Sequence, residues 1–211
     1  MKIIFLLLFL LYIPRAFGEY NTWAGLSHTE QISKRYSFLA QGQLRGDSSF
    51  KLIETQSRVG ILYNLKKSLK LGGGIFGSLD EQNSFREFRP WQQVVYKKDF
   101  NSFIFSGRFR QEQRLYTQDE TLAHRTRILV QASKIFNNKE FYVANETMFG
   151  LNSVPVSDVK KGINQNRVHF GVKIKMSANE ELNLAWRYIN RYYDNLATEE
   201  VHVFFIQIRT K

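Results

Sequence analysis

The sequence predicts an all-β protein, a single antiparallel up-and-down transmembrane β-barrel of 10–12 strands. Three observations predict this fold: long segments in which polar and apolar residues alternate, connections that are short and long in turn, and an apolar run near the N-terminus. Alternation is typical of β-strands, because successive side chains of a strand point to opposite faces. A tilted strand needs ~9–11 residues to cross a bilayer, and most of the alternating segments reach that length.

The N-terminus has the pattern of a secretory signal peptide. A positive charge is followed by the unbroken apolar run Ile3–Ile13 and then by small residues at Ala16 and Gly18, which predicts cleavage after Gly18. The alternative, a membrane anchor, is disfavoured because a spanning helix needs ~20 apolar residues and this run has eleven. We therefore expect residues 1–18 to be removed and residues 19–211 to form one β-barrel domain.

Eleven alternating segments are candidate strands. They cover residues 20–32, 36–45, 51–64, 69–79, 84–97, 100–114, 122–135, 140–150, 164–176, 181–192 and 200–209. Tight turns and longer polar loops connect them alternately, which is how outer-membrane barrels sort their connections between two rims. Pro90 interrupts the fifth segment and predicts a bulge there. Because bacterial single-chain barrels have even strand counts, we also expect one segment to be missed or divided wrongly.

Alternation alone fits two kinds of barrel. In Asn101–Ala132, the side chains of Phe103, Phe105 and Phe109 lie on one face and charged side chains lie on the other. A soluble barrel would place the aromatic face inside, whereas a membrane barrel would place it against lipid. The export signal, the strand lengths and the sorted loops favour the membrane barrel. We therefore expect a lumen lined by Glu54, Arg58, Glu87, Arg89, Arg108, Arg110, Glu112, Arg114, Arg125, Arg127, Glu146 and Arg167.

Two roles are open for this charged set. Facing side chains on adjacent antiparallel strands lie ~4.5–5.5 Å apart, so arginines and glutamates can interleave across strands. A fully paired set would be a structural plug, because an isolated buried charge is costly. Within the set, however, eight arginines accompany four glutamates, which leaves positive charge available to small anionic solutes.

The whole chain carries a formal net charge of +11 and contains no cysteine. The absence of cysteine excludes thiolate metal sites and thiol catalysis. The basic excess favours acidic partners, and export argues against nucleic acid. The expected partners are therefore outer-membrane lipid, lipopolysaccharide and small anionic solutes.

Residues suited to catalysis or metal binding form no clear pattern. The histidines His28, His124, His169 and His202 show no His-x-Ser or His-x-His spacing, which would place two such groups on one strand face. We expect no catalytic residue, no metal and no cofactor. Two other functions stay open: a lipid-modifying outer-membrane enzyme, and a soluble periplasmic β-barrel that binds an apolar ligand.

Short motifs carry a resemblance to a known family. They are Asn21–Gly25, Phe85–Gln93, and the arginine-rich segments Arg108–Arg114 and Arg125–Arg127. In this order the motifs resemble the family catalogued as domain of unknown function 2490, over most of the chain that follows the signal peptide. The resemblance implies an outer-membrane β-barrel of a Gram-negative bacterium, and hence the bacterial outer membrane as location. It implies no activity.

Overall fold

The computed structural model describes residues 20–117, 121–154, 160–193 and 198–211, and the predicted signal peptide at residues 1–18 lies outside them. The described chain forms eleven β-strands that close into one barrel. In chain order they are β1 (Tyr20–Gln31), β2 (Tyr36–Gly46), β3 (Leu52–Lys66), β4 (Leu69–Asp80), β5 (Phe85–Phe100), β6 (Phe103–Tyr116), β7 (Leu122–Phe136), β8 (Lys139–Gly150), β9 (Gly162–Lys175), β10 (Glu180–Tyr192) and β11 (Thr198–Thr210). Within these ranges there is no helix long and apolar enough to cross a membrane.

Each strand pairs with the next in an antiparallel ladder, and β1 closes the barrel by pairing with β11. This closing pair is parallel, with Tyr20 opposite His202 and His28 opposite Thr210. The predicted all-β barrel is confirmed, and the eleven predicted segments are the eleven strands, so the expected even count was wrong. An odd number of alternating strands leaves the first and the last pointing the same way, which makes the closure parallel.

The connections differ in length between the two ends of the barrel. One end, the short-turn rim, carries residues 32–35, 67–68, 101–102, 137–138 and 176–179. Asn101, Asn137 and Asn138 have positive φ there, a conformation that tight hairpin turns need and that Asn tolerates. The other end, the long-loop rim, carries residues 47–51, 81–84, 117–121, 151–161 and 193–197, of which the last three connections are described only in part.

The outer surface of the barrel is apolar over most of its height. Phe103, Phe105 and Phe109 of β6 are 54%, 43% and 49% exposed. Together with similar side chains on the other strands they form what we call the apolar belt, which begins at the short-turn rim and is typical of lipid-facing strands. Further members are Leu26, Tyr36, Leu44, Val59, Ile61, Leu71, Ile75, Val94, Ile128, Val130, Phe141, Val143, Phe170 and Ile208.

Toward the long-loop rim, the apolar belt ends at a polar band on β5–β10. Its outward-facing side chains are Gln92, Gln111, Thr126, Thr147, Asn166 and Asn190, which occupy similar heights on neighbouring strands. Several bond to each other along the wall: Thr126 Oγ1 donates to Gln111 Oε1 at 2.7 Å, and Asn166 Nδ2 donates to Thr147 Oγ1 at 2.9 Å. The strands therefore continue past the apolar belt on this side.

The interior is packed unevenly around its circumference. An apolar cluster of Trp23, Ala185, Ile189, Val201, Val203 and Phe205 covers β1, β10 and β11. On another part of the wall, the fully buried Trp91 lies across Gly60 and Gly74. A Cβ on Gly60 would approach the indole to 2.5 Å, and one on Gly74 would approach the Val59 carbonyl oxygen to 2.1 Å, so both positions require glycine.

The strand that contains Pro90 does carry a bulge, as predicted, but the bulge is not at the proline. The ladder between β5 and β6 skips Arg89 and Pro90 but keeps the same register on both sides, because proline has no N–H to donate. The register shift in this region lies near the start of β5: Ser78 faces Glu87 but Leu79 faces Phe85, so Arg86 is the extra residue in the ladder to β4. Alternation therefore continues through Pro90, with Arg89 and Trp91 buried on either side of it.

Candidate functional site in the barrel interior

A continuous network of ion pairs lies inside the barrel on β5–β9. Its members are Glu87, Glu112 and Glu146 with Arg89, Arg108, Arg110, Arg114, Arg125, Arg127 and Arg167. Strand alternation turns these side chains inward, and antiparallel pairing brings those of neighbouring strands side by side. The structure thus joins ten of the twelve predicted lumenal residues in one network, which we call the Arg/Glu network.

Glu87 forms the end of the network nearest the long-loop rim. Arg89 holds it through two hydrogen bonds, from Nε to Oε1 at 2.8 Å and from Nη2 to Oε2 at 2.6 Å. Arg114 holds it through two more, from Nε to Oε1 at 2.6 Å and from Nη2 to Oε2 at 3.1 Å. Both pairs use the planar guanidinium fork, which makes this carboxylate a fixed point between β5 and β6.

Glu112 is the centre of the network and is 0% exposed. Arg125 donates two hydrogen bonds to its Oε2, at 3.0 and 2.7 Å, and Arg127 Nη1 donates to its Oε1 at 3.0 Å. Arg89 Nη1 reaches Oε2 at 3.5 Å, which links this centre to Glu87. Residues of three adjacent strands are thereby tied together.

Glu146 of β8 continues the network away from the long-loop rim. Arg127 Nη2 donates to both of its oxygens at 2.8 Å, and Arg108 Nη2 donates to Oε1 at 2.6 Å. Arg167 of β9 lies 3.7 Å from Oε2, which is ion-pair distance but too long for a hydrogen bond. Arg127 is therefore shared between two buried carboxylates, Glu112 and Glu146.

The two predicted residues that are not in the network are Glu54 and Arg58, and Arg110 lies at the margin of the network. Glu54 pairs with Arg45 at 2.8 Å, and Arg58 Nη1 donates to Gln41 Oε1 at 3.3 Å. Arg110 has Nη1 3.8 Å from Glu112, but its hydrogen bonds go to Gln93 Oε1, at 3.1 and 2.6 Å. The main partner of Arg110 is therefore the uncharged Gln93.

A cavity of about 610 Å³ runs along the interior beside the network. It extends from Asn21 and Tyr193 near the long-loop rim to Lys173 and Arg209 near the short-turn rim. Thirteen arginine and lysine side chains contribute to its wall, against the carboxylates of Glu54, Glu87 and Glu146. The cavity is thus strongly electropositive.

A family model described as "Protein of unknown function (DUF2490)" matches residues 20–202. The chain belongs to the DUF2490 family. The matched region spans β1–β10 and the start of β11, so the Arg/Glu network of this DUF2490 barrel lies wholly inside the family's region. The family resemblance seen in the sequence motifs is thereby confirmed. No curated protein matches the chain.

Solved structures similar to this DUF2490 barrel include a porin and a protein expressed in the outer membrane. One is titled as the NanC porin in a rhombohedral crystal form, with 13% identity, a TM-score of 0.59, and coverage of 92% of this chain and 97% of that one. Another, the outer-membrane expressed OmpT of Vibrio cholerae, has 8% identity, a TM-score of 0.44, and coverage of 79% and 60%. The first likeness supports the fold of an outer-membrane barrel.

Several interior residues of the DUF2490 barrel were not among the lumenal residues predicted from the sequence. Trp23 and Phe205 are aromatic, and an apolar residue on an alternating strand was expected to face lipid, but both are buried inside. Arg45 and Arg187 lie on the polar faces of β2 and β10, so the alternation along these strands could have identified them as lumenal. Arg45 faces Trp23 directly across the β1–β2 ladder, whereas the position of Arg187 beside Trp23 depends on barrel closure, which joins β1 to β11.

The histidines are spread over both faces of the DUF2490 barrel. His169 is buried in the interior, whereas His202 stacks on the outward-facing Trp186 at 5.6 Å between ring centroids. His28 Nδ1 lies 2.8 Å from Thr210 Oγ1. Among the described residues, no three His, Asp or Glu side chains come together as metal ligands.

Proposed function

We propose that this barrel lies in a bacterial outer membrane and that its interior takes up small anionic solutes. The observation that carries the proposal is the charge of the cavity wall, where thirteen cationic side chains face three carboxylates. Guanidinium groups stay charged at any physiological pH and bind oxyanions through their planar fork. A narrow cavity lined by them attracts anions and repels cations.

The Arg/Glu network has a different role in this proposal from the rest of the wall. Its three carboxylates already hold most of the hydrogen-bond donors of Arg89, Arg114, Arg125 and Arg127. These arginines position neighbouring strands and narrow the lumen. The surplus charge belongs to arginines with no carboxylate partner among the described residues, notably Arg58 and Arg187.

The location rests on the apolar belt and on the fold. An outward belt of exposed Phe, Leu, Ile and Val above tight turns is what a lipid-facing barrel presents, whereas a soluble barrel with an apolar ligand would put these side chains inside. One of the similar solved structures is described as a porin. The partners we propose are membrane phospholipid around the apolar belt and lipopolysaccharide near the polar band. Membrane fractionation checks this, and release by salt alone would contradict it.

Planar-bilayer recording tests the anion proposal. In a KCl gradient, we expect the reversal potential of the purified barrel to show preference for chloride. The double substitution Arg58→Gln with Arg187→Gln should reduce that preference, since neither change breaks a salt bridge in the described chain. A reversal potential that shows cation preference, or a membrane with no conductance, would overturn the proposal.

A matched control removes the same charge from outside the cavity. Lys34 and Lys67 are exposed residues at the short-turn rim. The double substitution Lys34→Gln with Lys67→Gln should leave the chloride preference closer to that of the wild type, because exposed charges are screened within about 10 Å at 0.1 M salt. If this control has the larger effect, selectivity arises at the rim and the cavity is not its source.

A further inference from the structure

Three guanidinium groups converge on the indole of Trp23, away from the centre of the Arg/Glu network. Measured to the ring centroid, the guanidinium carbons of Arg45, Arg187 and Arg167 lie at 4.0, 5.3 and 5.7 Å. They come from β2, β10 and β9, and barrel closure through β1 and β11 brings them together around Trp23. All four side chains line the cavity.

These three charges have less compensation than those of the Arg/Glu network. Arg45 has one carboxylate, Glu54, at 2.8 Å. Arg167 reaches Glu146 only at 3.7 Å, and that carboxylate already accepts hydrogen bonds from other arginines. Arg187 has no carboxylate within 4 Å in the described part of the chain, and its guanidinium instead lies 3.6 Å from the ring centroid of Phe205. A surplus of positive charge is therefore held at one place.

Unused hydrogen-bond capacity lies at the same place. The buried Nε atoms of Arg45, Arg167 and Arg187 have no hydrogen-bond partner among the described residues. His169, which is 7% exposed, faces Arg187 across the ladder of β9 and β10, and its Nε2 is also without a partner. Buried polar atoms are normally satisfied, so a cluster of unsatisfied ones at a cavity wall marks a place for a ligand.

We propose that this cluster is a binding site for a small oxyanion, a carboxylate or a phosphate, held by Arg187 and Arg167 beside Trp23 with His169 at its edge. The site deepens the proposed function, because it names one place within the lumen where the anion stops. An oxyanion there receives charge-assisted hydrogen bonds from guanidinium groups that the protein leaves underused. Arg45 contributes charge while Glu54 fixes its position.

Calorimetry on the purified barrel in detergent tests the site, with inorganic phosphate in one arm and acetate in the other. Arg187→Gln should weaken binding about tenfold or more, as expected for the loss of a hydrogen bond from a charged group. Arg58→Gln is the matched control, because it also removes one cavity-lining charge that has no carboxylate partner. We expect it to weaken binding by only about twofold, through its charge at a distance.

Tryptophan fluorescence gives a second readout that does not depend on the stability of the arginine variants. Phosphate or acetate bound beside Trp23 should change the tryptophan emission of the wild type. Trp23→Phe should abolish that change, whereas Trp186→Phe, on the outer surface, should preserve it. A signal that persists without Trp23 would overturn the placement of the anion.

The outcomes separate the site from the proposed function. If the barrel prefers chloride in bilayers but Arg187→Gln and Arg58→Gln weaken binding equally, the lumen attracts anions in general and the proposal of a site at Trp23 is wrong. If neither anion binds to the wild-type protein, the site is overturned, and bilayer selectivity still decides the proposed function independently. Binding of phosphate with no binding of acetate would restrict the site to phosphate groups, in support of it.

Discussion

At the scale of single residues, Glu112 is the carboxylate on which the Arg/Glu network depends most. It is fully buried, and arginines from both neighbouring strands hold it. A buried charge is tolerated only when it is paired, so each charged group in the network offsets the desolvation cost of its partners. Because Glu112, Arg125 and Arg89 belong to three adjacent strands, a slip of any one of these strands by one residue would turn its charged side chain outward and leave the others without that partner.

Replacing Glu112 by glutamine should destabilise the barrel strongly. Glutamine keeps the shape of the side chain but leaves Arg125 and Arg127 with less negative charge nearby, and breaking a buried ion pair costs about 3–5 kcal/mol. Urea unfolding of the detergent-solubilised protein, followed by tryptophan fluorescence, measures the change. An unfolding midpoint equal to that of the wild type would contradict a structural role for the network.

Glu81→Gln is the matched control for that experiment. Glu81 accepts a hydrogen bond from Lys51 at 2.7 Å between two connections of the long-loop rim, and this carboxylate raises the pKa of the Lys51 ammonium group. Both side chains are well exposed, so water and salt replace most of what the pair gains. We expect the unfolding midpoint to stay close to that of the wild type.

The sequence predicted the members of the charged set but not their individual partners. Parity along each strand identifies Arg108, Arg110, Glu112 and Arg114 as one face, and this needs no knowledge of the fold. Which arginine meets which glutamate depends on register and closure. The sharing of Arg127 between Glu112 and Glu146 therefore could not be read from the chain.

At the scale of elements, the strand bounds followed closely from alternation, whereas the irregularities did not. The sequence pointed to Pro90 as the site of a bulge, but a missing N–H only interrupts the ladder to β6. The register shift lies at Arg86 of β5, opposite the end of β4 and close to the connection 81–84. Sequence shows where a donor is absent, but the adjustment of a ladder depends on both partner strands.

The parallel pairing of β1 with β11 can be tested by cysteine cross-linking, since the chain has no cysteine of its own. His28 and Thr210 are register partners. The double substitution His28→Cys with Thr210→Cys should form an intramolecular disulfide under mild oxidation, because paired strand positions fall within the Cα separation of about 4.4–6.8 Å that a disulfide spans. Mobility on a non-reducing gel reports the product.

Tyr20→Cys with Thr210→Cys is the opposite test of the same ladder. In the parallel arrangement these positions lie at opposite ends of the barrel, since Tyr20 pairs with His202. An antiparallel closure would bring them together. Cross-linking of this second pair and not of the first would show that the closing ladder runs the other way.

At the scale of the whole molecule, the barrel has two unlike ends. The apolar belt begins at the short-turn rim, and the polar band lies toward the long-loop rim. In outer-membrane barrels the short turns face the periplasm and the long loops face outward. The even strand count was the whole-molecule prediction that failed, because it came from a generalisation about bacterial barrels, whereas the alternation along the chain had given eleven segments.

Labelling of single cysteines in intact cells tests the orientation. Gln82→Cys lies at the long-loop rim, and a membrane-impermeant maleimide should label it on whole cells. Lys67→Cys lies in a tight turn at the other rim and should be labelled only after the outer membrane is broken. Labelling of Lys67→Cys alone on intact cells would mean that the barrel is inserted the other way round.

The parallel closing ladder also has a consequence for folding kinetics. Ten ladders join strands that follow each other directly, so each is a hairpin that forms by closing a short loop. The eleventh joins His28 to Thr210, which are 182 positions apart in sequence. Long loops close late and at a greater entropic cost. We therefore expect the ten hairpins to form before the barrel closes, and the pairing of β11 with β1 to limit the rate of closure.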